Sequence, residues 1–129
     1  MPTTSRTATD PDDAHGSAVT LRGRVTGLPE ERTLPSGDVL VTFRISVPRR
    51  PTPLGKRSRQ TSDWVECVAA AARIRRGVAT WAVGDEVQVD GVLRRRFYRS
   101  EGGAGGSRLE VEALHARRLR RTTSPPAPG

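Results

Sequence analysis

The segment VLVTFRISV, residues 39–47, decides the fold class, because apolar and polar residues alternate along it from Val41 to Val47. Phe43 and Ile45 fall on one face of the segment, and Thr42 and Arg44 fall on the other. Successive side chains of a β-strand point to opposite sides, so this alternation predicts a strand with one buried face.

Similar patterns on both sides of this segment predict four more strands and one helix. Ala70, Ile74, Val78 and Trp81 recur at helical spacing, so Trp81 is expected in the core. Gly23 interrupts the first strand and predicts a bend or bulge there. The predicted strands are residues 18–26, 39–47, 63–69, 86–98 and 108–119, and the predicted helix is residues 70–81.

Five short strands with a helix between the third and the fourth give the element order of the OB-fold. We therefore predict an all-β protein, a five-stranded Greek-key barrel formed by residues 18–121. Residues 1–17 have almost nothing apolar, and residues 122–129 are rich in proline, so both ends are expected to be disordered. The Gly-rich run EGGAGGS, residues 101–107, predicts a flexible hairpin tip.

The charge of the chain favours a polyanionic partner. Lys and Arg number 22 against 14 Asp and Glu, which gives a formal net charge of +8. Nucleic acid and an anionic membrane surface both fit this charge, and a GC-rich coding sequence would also raise the arginine content. No segment has the ~20 apolar residues of a membrane span. We therefore expect a cytoplasmic protein that does not bind membranes.

The residues that could support catalysis or metal binding are not arranged for either. Cys67 is the single cysteine and lies in an apolar strand, where it fits a small buried side chain. His115 has no partner by spacing, and Asp85 and Glu86 are adjacent, so on a strand they point to opposite sides. We expect no enzyme activity, no metal, no cofactor and no small-molecule substrate.

Several stretches, taken in order, resemble the bacterial single-stranded DNA-binding protein family. The stretches are VTLRGR (19–24), LPEER (28–32), LPSG (34–37), VTFRISV (41–47), SDW (62–64), GDEVQVDGVL (84–93) and RRRFY (94–98). The resemblance implies an OB-fold, sequence-tolerant binding of single-stranded DNA, no cofactor, and assembly into dimers or homotetramers. It also implies a nucleoid-associated role in DNA replication, repair or recombination.

The sequence departs from the family pattern in three places. Ala70 stands where the family carries an aromatic residue after the third-strand Trp, and Arg49-Arg50-Pro51 stands where another aromatic commonly follows the second strand. No acidic residue follows Glu112, whereas the family tail often ends in an acidic tip. These departures are typical of a divergent paralogue.

Three aromatic residues are candidates for stacking on bases. Trp64 is predicted on the outward face of the third strand, although it could instead cover the barrel or a subunit interface. Tyr98 matches an aromatic that the family uses for stacking and lies among arginines. Phe97 is a weaker candidate, because packing within the hairpin would also explain it.

Candidate phosphate contacts lie on the outward strand faces, in the loop of residues 48–62 and on the hairpin, and together they would form a basic groove. A solvated charged face is the alternative interpretation. These candidates are Arg22, Arg24, Arg44, Arg49, Arg50, Lys56, Arg57, Arg59, Arg94, Arg96 and Arg99.

Three functions therefore stay open from sequence. The first is non-catalytic binding of single-stranded DNA. The second is an OB-fold adaptor of the primosome type that binds mainly proteins. The third is an RNA-binding module, because nothing in the sequence indicates whether the protein distinguishes RNA from DNA by the ribose 2′-OH.

Overall fold

A computed structural model of the chain describes residues 17–56, 58–99 and 103–122. The predicted disordered ends lie almost wholly outside these residues, as does Arg57. The elements are β1 (Ala18–Val25), β2 (Glu30–Thr33), β3 (Val39–Pro48), β4 (Ser62–Ala69), α1 (Ala72–Val78), β5 (Glu86–Arg99) and β6 (Gly105–Arg120), with one 3-10 turn at Pro53–Gly55.

Five of the strands close into a barrel. β1 pairs antiparallel with β5 along most of its length and with β3 at Arg24 and Val25. β3 pairs with β4, and β5 pairs with β6, both antiparallel. The ring is completed by a parallel pairing of β4 with β6, which places Cys67 opposite Val111. The predicted five-stranded barrel, with its helix between the third and fourth barrel strands, is confirmed.

The core forms from the inward faces of these strands, as the period of two predicts. Phe43 and Trp81 meet edge to face at its centre, with ring centroids 5.3 Å apart. Trp81 is therefore a core residue, as predicted. Cys67 is also buried, and this burial raises the pKa of its thiol to about 12. The buried core comprises Val25, Val41, Phe43, Ile45, Cys67, Ala69, Val78, Trp81, Val87, Val89, Val111 and Ala113.

Two short elements differ from the sequence prediction. β2 was not predicted, because its four residues, EERT, are all exposed and show no apolar alternation. It forms through pairing with the first half of β3 and lies outside the closed barrel. The helix begins at Ala72 rather than residue 70, and Ala70 is exposed instead of lying on the buried face.

The β5–β6 hairpin extends further than the sequence indicated. Arg99 pairs with Gly105, so strand structure runs into the Gly-rich run that was predicted to be a flexible tip. Leu93 continues the alternation of Val87 and Val89 along β5, and Leu109 continues that of Val111 and Ala113 along β6. Both are exposed, because the hairpin continues past the end of the barrel and leaves this face uncovered.

Two glycines allow neighbouring strands to approach closely. A Cβ atom on Gly23 would collide with the carbonyl oxygen of Ser46 on β3, and one on Gly91 would collide with that of Glu112 on β6. Gly23 precedes Arg24, the residue at which β1 pairs with β3 as well as with β5. Both contacts involve backbone atoms, so a side chain at either position would push strands apart.

A buried carboxylate ties the loop before β5 to the end of β6. Asp85 accepts hydrogen bonds from the backbone N–H of Ala82 (2.9 Å) and of Thr122 (2.8 Å), and from Arg118 (3.3 Å). The hydrogen bond from Ala82 is the largest cause that lowers the pKa of Asp85, and it acts against burial with help from Thr122 and Arg118. The carboxylate therefore stays charged at neutral pH.

Replacing Gly23 with alanine should destabilise the barrel, because the β3 backbone has to move to admit the methyl group. We expect a loss of about 1–3 kcal/mol in the free energy of unfolding, measured by urea denaturation. The matched control is Gly27→Ala, because a Cβ at Gly27 meets no atom within 4 Å. Equal stabilities of the two variants would show that the close approach does not constrain the barrel.

Candidate nucleic-acid interface

The outward faces of β3 and β4 place a tryptophan beside an arginine. Because Ile45 and Cys67 point into the core, Arg44 and Trp64 point out of the barrel. The Trp64 side chain is 62% exposed, as the sequence predicted. The Cζ atom of Arg44 lies 4.3 Å from the centroid of the Trp64 ring, which is a cation–π contact.

A single carboxylate connects this pair to the second aromatic candidate. Glu66 Oε1 lies 3.0 Å from Nη2 of Arg44 and 3.7 Å from Nη1 of Arg108 on β6. The Cζ atom of Arg108 in turn lies 5.4 Å from the centroid of the Tyr98 ring. We call Arg44, Glu66 and Arg108 the Arg–Glu–Arg bridge. Through it, Trp64 and Tyr98 belong to one continuous surface.

The position of Tyr98 depends on a glycine across the hairpin. Tyr98 pairs with Gly106, and a Cβ atom on Gly106 would lie 2.6–2.7 Å from Oη and Cζ of the tyrosine. The ring therefore lies over the backbone of β6, on the same face as Arg108. Phe97 is 76% exposed but points to the opposite face of the hairpin, away from this surface.

The predicted cations on the strands already have partners. Nε of Arg22 donates to Gln88 Oε1 at 2.9 Å, and Nη1 of Arg24 donates to the carbonyl oxygen of Gly84 at 2.9 Å. Arg94 pairs with Glu112 at 2.7 Å, and Arg96 pairs with Glu110 at 3.5 Å. A phosphate that contacts one of these side chains therefore competes with a neighbour within the protein.

Arg49 at the base of the basic loop is also engaged. Its Nε and Nη2 atoms both donate to the carboxylate of Asp63 at 2.8 Å, and this hydrogen bond holds the pKa of Asp63 below its usual value. Gln60 also donates to Asp63. Arg49 therefore fixes the two ends of the loop to each other, a role that the sequence did not indicate.

The remaining described cations of this loop project into solvent. Arg50, Lys56 and Arg59 are exposed and make no hydrogen bond or ion pair within the described residues. Among the predicted cations whose side chains the structure describes, these three can contact a phosphate without giving up a contact within the protein. Arg57 and the side chain of Arg99, which the sequence also nominated, lie outside what the structure describes.

A groove of about 380 Å³ runs between β2 and the outer faces of β3, β4, β5 and β6. Arginines and glutamates alternate along its barrel side, so the charge of this groove is mixed. Its charged lining includes Glu30, Arg32, Arg44, Glu66, Arg96, Arg108 and Glu110.

Three contributors to this surface were missed by sequence reasoning. Glu66 could have been found, because it follows Trp64 by two residues and so shares its face. Arg108 and Gly106 could not, because their positions depend on the register between β5 and β6. Gly106 looked like part of a flexible tip.

Other kinds of site find no support in the described part of the chain. No cluster of three or more His, Cys, Asp or Glu side chains among residues 17–56, 58–99 and 103–122 could hold a metal ion. No helix within those ranges is long and apolar enough to cross a membrane.

Comparison with known proteins agrees with the resemblance seen in the sequence. Residues 17–119 match the family model of the Single-strand binding protein family. The fold is similar to the crystal structure of Rim1, a mitochondrial single-stranded DNA binding protein of S. cerevisiae, with a TM-score of 0.59 and 16% identity. That match covers 82% of this chain and 97% of the Rim1 chain. None of the curated proteins matches the chain significantly.

Adding a methyl group at Gly106 should displace the Tyr98 ring without unfolding the protein, because the colliding atoms belong to a movable side chain. We expect Gly106→Ala to weaken binding of an oligonucleotide by a part of the ~1–3 kcal/mol that one stacked base contributes. Gly105→Ala is the matched control, since its Cβ would meet only an ordinary contact at 3.7 Å. Fluorescence anisotropy of a labelled oligonucleotide measures both. Equal affinities of the Gly106→Ala and Gly105→Ala variants would show that Tyr98 is not part of the binding surface.

Proposed function

The chain belongs to the Single-strand binding protein family, and from this premise we propose that it binds single-stranded DNA with little sequence preference and without catalysis. The observation that carries the proposal is the surface on which Trp64 and Tyr98 are both exposed and each lies beside an arginine. The family membership adds that the role is binding rather than an enzyme reaction.

Aromatic stacking supports a preference for unpaired bases. Every base has a π-face, so a ring can stack on any of them, whereas a duplex keeps these faces covered. Trp64 and Tyr98 lie on different strands of the barrel and are linked through the Arg–Glu–Arg bridge. We propose that they stack on bases at two points along one strand.

The loop supports a second, electrostatic contribution. Arg50, Lys56 and Arg59 are exposed cations near β4, the strand that carries Trp64. Cations that neutralise phosphates release counterions, which makes affinity fall as salt rises. We propose that these three side chains follow the phosphate backbone while the rings contact the bases.

We propose that the protein acts in DNA replication, repair or recombination, associated with the nucleoid in the cytoplasm. The support is the family alone. A protein-binding adaptor remains the second candidate, because the exposed Ala70 occupies the position where the family resemblance expects an aromatic residue. Weak binding to oligo(dT), oligo(rU) and duplex DNA alike would favour the adaptor.

Aromatic and cationic variants should respond differently to salt. Trp64→Ala and Tyr98→Ala should each weaken oligo(dT) binding by roughly 1–3 kcal/mol and leave the salt dependence almost unchanged, because neither ring is charged. Replacing Arg50, Lys56 and Arg59 together by alanine should flatten the log–log salt slope by about 0.7 for each phosphate that is no longer neutralised. Anisotropy titrations over a range of salt concentrations measure both effects.

Phe97→Ala is the matched control for the ring variants, because Phe97 is more exposed than Tyr98 and faces the other way. We expect it to weaken binding less than Tyr98→Ala does. If Trp64→Ala and Tyr98→Ala both bind like the wild type while remaining folded, the stacking proposal is wrong. If duplex DNA binds as tightly as oligo(dT), the protein is a general binder of polyanions.

We also propose that the chain assembles into a symmetric dimer or tetramer. The support is the family resemblance together with the apolar side chains of Leu93 and Leu109, which the barrel leaves exposed. Light scattering at micromolar concentration should give a mass of more than one chain. The mass of a single chain would contradict this proposal and leave the binding proposal standing.

A further inference from the structure

A negative charge lies in the middle of the surface that would receive a polyanion. Glu66 sits on the outward face of β4, two residues after Trp64, with a side chain that is 24% exposed. Its Oε1 atom is within 4 Å of a guanidinium on β3 and of another on β6. One carboxylate therefore partly neutralises two arginines.

The same two arginines are the ones that lie over the aromatic rings. Arg44 is over Trp64 and Arg108 is over Tyr98. Within the described residues, Glu66 is the one acid that pairs with arginines in such contacts. The neighbouring acids Glu110 and Glu112 pair with Arg96 and Arg94, for which the structure shows no ring contact.

We propose that Glu66 is an affinity-limiting residue that acts as an internal substitute for a DNA phosphate. In the free protein its carboxylate holds Arg44 and Arg108 over the two rings. The phosphates of a bound strand compete with that carboxylate for both guanidinium groups. This inference rests on the proposed binding of single-stranded DNA and concerns its regulation at the same surface.

The energetics of exposed ion pairs make such an exchange possible. Pairs between partly exposed side chains are weak and are screened by salt, so phosphate can compete with the carboxylate. The freed carboxylate remains close to the phosphates and repels them. Both effects oppose binding, and both depend on the charge of Glu66 rather than on its size.

The test compares Glu66→Gln with the wild type in the full chain, using anisotropy of labelled oligo(dT). Glutamine keeps the length of the side chain and its acceptor oxygen but removes the charge. We expect binding about two- to tenfold tighter at low salt, the range expected from removing one or two surface pairs. The log–log salt slope should steepen by about 0.7 for each additional phosphate that the protein neutralises, so affinities converge at high salt.

Glu112→Gln is the matched control, because it removes one charge and one surface ion pair on the same sheet. A gain for Glu66→Gln that is no larger than the gain for Glu112→Gln would overturn the proposal, as would weaker binding. Glu66→Ala, measured beside them with thermal melts, should also bind more tightly than Glu112→Gln. A loss of affinity in Glu66→Ala would likewise overturn it.

The two proposals fail in different ways. If wild-type protein shows no preference for oligo(dT) over duplex DNA, the proposed function is wrong. If Trp64→Ala and Tyr98→Ala weaken binding but neither Glu66 variant strengthens it, the function stands and the role of Glu66 is wrong.

Discussion

The backbone of β1 lies so close to that of β3 at Gly23 that no side chain fits between them, and β5 approaches β6 in the same way at Gly91. These two contacts let strands of a small barrel curve tightly enough to close. Closure turns the outward residues of β3, β4, β5 and β6 into one surface. Trp64 and Tyr98 share that surface although they lie far apart in the chain.

Charge is distributed unevenly over the candidate interface. On the barrel strands, arginines are matched by glutamates or by other acceptors. On the loop after β3, Arg50, Lys56 and Arg59 project without such partners in the described structure. The surface that carries Trp64 and Tyr98 therefore has paired charges, whereas the loop has cations without such partners. The bases of a bound nucleic acid would contact the aromatic surface, and its phosphates would contact the loop.

Much of this arrangement could be predicted from the sequence, because alternation determines which side chains face outward. Alternation along residues 39–47 and 63–69 placed Arg44 and Trp64 on the outer face, where the structure has them. It could not reveal β2, which forms through pairing with β3 and has no apolar residue. Nor could it bring Glu66 to Arg108, since that contact depends on the parallel register of β4 and β6. Arg49 resembled its neighbours in sequence and differs from them only through Asp63.

The parallel pairing of β4 with β6 also has a consequence for how the chain folds. The hairpins β2–β3, β3–β4 and β5–β6 each join strands that are consecutive in sequence, so they close short loops. Cys67 and Val111 are also paired, although the helix and the whole of β5 lie between them in the chain. Closing that long loop costs chain entropy, which the packing of core side chains such as Val89 and Val111 offsets. The surface that carries Trp64 and Tyr98 is therefore complete only when this long-range pairing has formed, because the two rings otherwise lie on separate hairpins.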